Sequence, residues 1–255
     1  MNDKKNKIEA LKANGYQLEF EDVFNLAFEN YKKIALYAGL MIFVFSILLC
    51  ILVATGMISY LGVTAFINMM KPENLNVEAM SENTKVILMV ASIGISCLLS
   101  PFPAGLIKMA YCAQKDEEFH LSTVFSYYAA PYFKQLVIAT LLIGIFSSTL
   151  TSAVAYLGIQ YLEIVFSTLI TFITMLVIPL IVFSDLKATE AITSSIVLVF
   201  KQPLTLLGLF VVSSIASIIG IFGCCVGIFF TIPFMYSLYF ALYSKIVGFD
   251  DLTNE

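Results

Sequence analysis

Arginine and tryptophan are absent from this 255-residue chain, and histidine occurs once, at His120. Without arginine there is no planar fork to grip phosphate or carboxylate with two parallel bonds. The net charge of −4 works against nucleic acid, which selects basic partners. One histidine does not furnish the several ligands of a histidine-bound metal centre, so no metal or cofactor is expected. Five cysteines (Cys50, Cys97, Cys112, Cys224 and Cys225) make an odd number and fit no zinc or disulfide spacing. They read as small buried hydrophobes. Charge itself is scarce. Only 13% of residues are charged and 60% are hydrophobic, against about 25% and about 45–50% in a soluble domain. With a mean hydropathy of +0.92, such a chain belongs in a bilayer.

Long uncharged runs are what the chain has instead: residues 34–70, 86–107, 135–162, 164–184 and 202–244. About 20 helical residues cross roughly 30 Å of hydrocarbon. The second, third and fourth runs are single spans. The last is long enough for two, with Gly220, Gly223 and Gly227 near its middle, and is predicted to form a hairpin. The first supplies one crossing near residues 34–57 and an outer apolar segment through Met70. The expected fold is an all-α integral membrane protein with six transmembrane helices.

Lysine bias sets the orientation. With the N-terminus inside, twelve lysines fall on the inner side, and Lys71 and Lys85 alone fall outside. Both termini are therefore expected in the cytoplasm of a bacterium, the protein sitting in its inner membrane. Residues 1–33 lack the early apolar run and clear cleavage site of a signal peptide.

The segments before the odd spans resemble each other. Phe20, Val23, Phe24, Ala27, Phe28 and Tyr31 fall on one helical stripe, so residues 20–33 are predicted to lie as an amphipathic helix in the interface plane. Segments 121–135 and 188–202 align with it on Lys32, Lys134 and Lys201. Val23 then coincides with Phe125 and Ile192, Ala27 with Ala129 and Ile196, and Tyr31 with Phe133 and Phe200. Pro131 is expected to break the second copy near its end. The second span of each pair carries proline: Pro101 and Pro103, Pro179, and Pro233. Proline kinks a span by removing a backbone bond. The expected organisation is a polar tail, residues 1–16, and one six-helix domain, residues 17–255, in units 17–113, 119–184 and 186–247. Each interfacial helix should press its stripe against its own pair of spans.

Three stretches resemble a broad group of six-span bacterial membrane proteins, including YciC-like proteins and the membrane domain fused to some glycerophosphodiester phosphodiesterases. They are Pro103-Ala104-Gly105 with Met109-Ala110 and the Phe125 helix; Ile178-Pro179-Leu180-Ile181 with Asp185, Glu190-Ala191 and Ser195; and Gly220 and Gly223 to Gly227 with Thr231-Ile232-Pro233 and Tyr243. The resemblance implies a six-helix membrane fold and brings no activity. The chain departs from many members in having no arginine at its inner turns.

Candidate sites are few. Glu163 and Asp185 close the two ends of the fourth span, neither deep in it, and read as hydrated interface residues, with a functional role as the alternative. His120, beside Lys115-Asp116-Glu117-Glu118, reads as solvated; an acid–base role would need partners that are not evident. Hydroxyls are plentiful: Ser147, Ser148, Thr149, Thr151 and Ser152; Thr168, Thr171 and Thr174; Ser213, Ser214 and Ser217. Bonds to neighbouring helices are the expected use, and a polar path is the alternative. Lys32, Lys33, Lys134 and Lys201 are candidate contacts to anionic headgroups, or simple topology anchors. Gly223 and Gly227 are a small-xxx-small pair, serving close packing or chain reversal. Pro101, Pro103, Pro179 and Pro233 are candidate kinks. The expected function is a non-enzymatic accessory or scaffold role in envelope or lipid homeostasis, with membrane lipids and a further membrane protein as partners. The alternative is a carrier or flippase for a neutral or lipid-like substrate.

Overall fold

In hydrocarbon an unpaired backbone amide costs several kcal/mol, and a helix satisfies its own. The described residues are for the most part helical. The computed structural model describes residues 2–71, 82–129, 131–155, 161–222 and 226–249, and among them there is no strand. In order, the helices are α1 (Asn2–Asn14), α2 (Phe20–Leu61), α3 (Val63–Met69), α4 (Glu82–Leu99), α5 (Pro101–Gln114), α6 (Leu121–Phe125), α7 (Tyr132–Ala155), α8 (Leu162–Ile173), α9 (Val177–Ser184), α10 (Ala188–Lys201), α11 (Pro203–Ile219) and α12 (Gly227–Ile246). Six stretches are long and apolar enough to cross a membrane: Phe20–Ser59, Asn83–Gln114, Tyr132–Ala155, Leu162–Ser184, Pro203–Phe222 and Gly227–Ile246. The protein is an all-α, multi-pass membrane protein.

The even spans treat their prolines differently. In the second span, α4 ends at Leu99 and α5 restarts at Pro101, with the Ser100 hydroxyl bonding the Cys97 carbonyl at 2.8 Å. Pro101 has no N–H to offer that carbonyl, so the serine replaces it. The fourth span breaks at residues 174–176, before Pro179. The sixth does not break. Pro233 sits inside the continuous α12 without interrupting it. Tyr31 of α2 donates to the Phe230 carbonyl at 3.2 Å, next to the carbonyl that Pro233 leaves without its usual donor.

The three amphipathic segments take three forms. Residues 20–33 do not lie apart in the interface plane; they run without interruption into the first span as α2, 42 residues long. Residues 121–135 become the five-residue α6, a 3-10 turn at Ser126–Tyr128, and a turn at Pro131, after which Tyr132 already begins the third span. Only the third copy is a separate full helix, α10. The stripe is also displaced. Val23 is fully buried, but Phe125 is 42% exposed and Ile192 half-buried. Moving the register one residue, to Lys33, Lys134 and Lys201, aligns Val23, Val124 and Ala191, all 0% exposed, and aligns Ala27 with Ser195, also both 0%. The partners differ from expectation too: α6 packs on α5, α10 on α9, and α2 along α12. Each of the later segments thus packs on the prolyl span before it, and the first on the last.

The first residues are polar, as expected, but they are not a free tail. They form α1, which packs on α10 and buries Ile8. Lys4 donates to the Phe183 carbonyl and Lys5 to Glu190, both at 3.0 Å; Lys201 reaches the Ala13 carbonyl at 3.2 Å. Tyr16 donates to the Leu198 carbonyl and Gln202 to the Tyr16 carbonyl, both at 2.9 Å. These bonds, with Lys245–Asp22 at 3.2 Å, gather Lys4, Lys5, Lys201 and Lys245 around α1, α10 and the start of α2.

Candidate functional site

The hydroxyls that read as interhelical fasteners do not fasten helices. Thr149 bonds the Ile145 carbonyl, Thr151 the Ser147 carbonyl, Thr171 the Ser167 carbonyl and Thr174 the Ile170 carbonyl, all on their own helices at 2.7–3.0 Å. Ser213, Ser214 and Ser217 likewise bond within α11. The fasteners are others: the buried Ser237 to the Ala27 carbonyl and the buried pair Ser184 and Tyr243, both at 2.7 Å, and the half-buried Thr231 to the Ser217 carbonyl at 2.9 Å.

What the hydroxyls of the second, third and fourth spans share is a cavity of about 410 Å³. Both α4 and α8 pack on α7, leaving a cleft with α7 as its floor. Ser92 and Ser96 of α4 stand on one wall; Thr140, Ser147 and Ser148 lie on the floor; Thr171 and Thr174 of α8 form the other wall. Tyr239 of α12 closes the back with Met175 and Val177. Ser92, Ser96 and Thr171 are exposed, so the cleft opens on the flank of the bundle. Among the described residues, Ser96, Thr140, Ser147 and Ser148 donate no side-chain hydrogen bond within the protein. A hydroxyl in an apolar flank with no partner is costly. Several around one void make a place where a polar group would be held.

The floor meets the break in the fourth span. The turn at residues 174–176 interrupts the helical ladder, and Pro179 has no N–H for the Met175 carbonyl. Ser195 of α10, fully buried, repairs part of the break: it donates to the Ile173 carbonyl at 2.8 Å and accepts the Leu176 N–H at 3.3 Å. The discontinuous helix therefore stands between a polar cleft on one side and α10 on the other. Broken spans beside a polar cavity are a recurrent substrate-site arrangement in membrane carriers.

The structure gathers Ser147, Ser148, Thr171 and Thr174 in the cleft and leaves Thr149, Thr168 and Ser152 outside it. Sequence reasoning missed Ser92, Ser96, Thr140, Tyr239 and the role of Ser195. The four-residue spacing of Ser92 and Ser96 was the available signal, placing both on one helix face. The lysine candidates are largely occupied. Lys33 donates to the Ala113 carbonyl at 2.8 Å and pairs with Asp116; Lys32 pairs with Glu29 at 2.6 Å; Lys201 is held by Ala13; Lys134 is exposed. Asp185 is exposed, caps α9 in a left-handed conformation (φ 53°) and accepts the Tyr132 hydroxyl at 2.8 Å. Glu163 is exposed in the first turn of α8, and His120 is exposed just before α6. Cys97 and Cys112 are buried and Cys50 is exposed. Gly223, Cys224 and Cys225 lie outside the described residues. Gly227 packs instead against Gly220: a Cβ on Gly220 would stand 2.7 Å from the Gly227 carbonyl oxygen. Close approach of backbones accounts for these two glycines, since neither has a positive φ.

No protein-family model, curated protein or solved structure matches the chain.

Proposed function

We propose that this protein is a non-enzymatic carrier or flippase for a lipid-like substrate in a bacterial cytoplasmic membrane, with both termini inside. One observation carries the reading: unpartnered hydroxyls line a cavity that opens from a transmembrane flank beside a broken span. A substrate of this kind has a polar part that needs bonds and an apolar part that stays in the bilayer. The cleft offers both, and the transporter needs no deep charge to move an uncharged polar group. Cavities of roughly 300–1,000 Å³ are the usual scale of small-molecule sites.

The scaffold role rests on a different feature, the charged layer of α1 and the start of α2, where Glu21, Asp22, Asn25, Glu29 and Lys32 are exposed. It supports docking of a partner and leaves the cleft unexplained. A threefold origin of the bundle is part of the same proposal; the shared burial of Val23, Val124 and Ala191 supports it. The kinship with YciC-like proteins is proposed on the sequence resemblance alone.

The test is leaflet exchange. The protein is reconstituted into vesicles carrying a head-labelled fluorescent phospholipid, and dithionite bleaches the outer leaflet. Wild type should expose inner-leaflet label faster than protein-free vesicles. The variant with Ser147→Ala, Ser148→Ala, Thr171→Val and Thr174→Val should lose most of that rate while remaining folded. Wild-type exchange equal to that of empty vesicles contradicts the carrier reading.

A further inference from the structure

The hydroxyl cleft is graded from rim to back. Ser92, Ser96 and Thr171 are exposed at its opening, Ser147 and Ser148 are half-buried on the floor, and Tyr239 closes the back at 8% exposure. The Tyr239 ring stands edge-on to Tyr236, centroids 6.4 Å apart, and its hydroxyl has no hydrogen-bond partner among the described residues. A phenol so deeply buried ordinarily has one, and this one lines a cavity. Between Thr140 and Ser147 the floor drops to Gly144, where a Cβ would stand 3.5 Å from the Ile93 side chain on the facing wall. The missing side chain leaves that width open. Ile93, Ile143 and Ile170 separate the hydroxyls with apolar surface.

Every polar side chain in this lining ends in a hydroxyl, and none carries a charge. A hydroxyl both donates and accepts, so the set matches a ligand that offers several hydroxyls itself. A phosphate or an ammonium would enter an apolar flank without a counter-charge, at high cost. A lone hydroxyl would make one bond and leave the rest of the lining unpaired. A sugar ring meets all of these conditions: hydroxyls around its edge, apolar C–H faces for Ile93, Ile143 and Ile170, and no charge. We infer that the cleft holds the neutral sugar headgroup of a glycolipid. Tyr239 bonds its innermost hydroxyl, Ser147 and Ser148 bond its edge, and the acyl chains leave over the rim into the bilayer. The inference rests on the carrier reading and names its substrate class; a phospholipid, whose phosphate meets no charge in the lining, is the poorer passenger. The lipid is favoured over a free sugar because the cleft opens on the flank of the bundle, where acyl chains lie.

The experiment is native mass spectrometry of the full chain in a polyoxyethylene detergent, since a glycoside detergent would carry the headgroup under test. The chain is titrated with monoglucosyl diacylglycerol, diacylglycerol and phosphatidylglycerol of one acyl composition, and with methyl glucoside. Wild type should retain the glucosyl lipid about tenfold over either other lipid, the effect of one or two net hydrogen bonds. Tyr239→Phe, which removes one oxygen and keeps the ring, should cut that ratio about threefold. Ser147→Ala with Ser148→Ala should remove most of the preference, and Gly144→Leu should block retention by filling the floor. Thr149→Val, on the same helix but outside the cleft, should change nothing. Equal retention of the glucosyl lipid and diacylglycerol, a preference for phosphatidylglycerol, or a ratio unmoved by Tyr239→Phe and by the double serine variant overturns the site. Methyl glucoside that binds as well as the glucosyl lipid overturns the lipid assignment. A sugar preference with no leaflet exchange supports the site and rejects the carrier reading, and exchange with no sugar preference does the reverse.

Discussion

The Ser195 hydroxyl reaches out of α10 and donates to the Ile173 carbonyl at 2.8 Å, across the break in the fourth span. Both the donor and the Leu176 N–H that it accepts belong to a fully buried environment. Removing the hydroxyl leaves two backbone groups without partners. Ser195→Ala should therefore destabilise the protein by about 1–3 kcal/mol, read as a lower thermal midpoint in detergent. Ser214→Ala, whose hydroxyl bonds only its own helix at 2.8 Å, is the control and should change little.

Gly105 faces the backbone of Val124, which lies closer than any real Cβ would tolerate. Gly105→Ala should push α6 off α5 and cost about 1–3 kcal/mol, as overpacking does. Gly94 of α4 has nothing within 4 Å of a Cβ position. Gly94→Ala should be neutral, or stabilising by up to about 1 kcal/mol through helix propensity. Equal effects at the two positions would contradict the packing of α6.

The shifted register of the amphipathic segments can be read by charge insertion. Asp at Val23, Val124 or Ala191 places a carboxylate where nothing is exposed, at a cost of about 3 kcal/mol or more. Phe125→Asp, at a residue 42% exposed, should cost clearly less. Denaturation of the four variants in one detergent checks the ranking.

The pairing of α1 with α10 should respond to acid. The hydrogen bond from Lys5 holds the Glu190 carboxyl below its ordinary value. A carboxylate lowered by folding stabilises the native state above its unfolded pKa, about 4.3, and loses that contribution as pH falls through the folded value. The pair is partly exposed, so about 0–1 kcal/mol is expected. The difference in thermal midpoint between wild type and Glu190→Gln should be present near neutral pH and vanish in acid below the carboxylate range.

The six crossings were legible because hydrocarbon permits few alternatives: an uncharged run of about 20 residues folds as a helix or does not insert. The amphipathic segments were legible only as periodicity. Their stripes were visible, but the one-residue register was not, because Lys32 and Lys33 are adjacent and either can anchor the alignment. Nor does periodicity say whether a polar-faced helix lies flat or continues into the span, as α2 does. Pro101 and Pro179 accompany interruptions and Pro233 does not; that outcome depends on neighbours such as Tyr31, which sequence does not place. The hydroxyls of α7 and α8 were seen, but their meeting with Ser92 and Ser96 of α4 is a tertiary fact.

The orientation is tested by labelling. Single cysteines at Asn6 and Met70, in a background without other cysteines, should differ: Met70→Cys labels in intact cells, and Asn6→Cys only after permeabilisation. Surface labelling at Asn6 would overturn the proposed orientation.

The central claim is that the hydroxyl cleft receives an amphiphile, and crosslinking in native membranes tests it most directly. A photoreactive amino acid at Thr171, on the wall of the cleft, is compared with one at Ile215, 54% exposed on α11. The account predicts a discrete lipid-mass adduct at Thr171, several-fold more abundant than any at Ile215. Equal lipid labelling at the two positions, or a protein-sized adduct at Thr171, would contradict it.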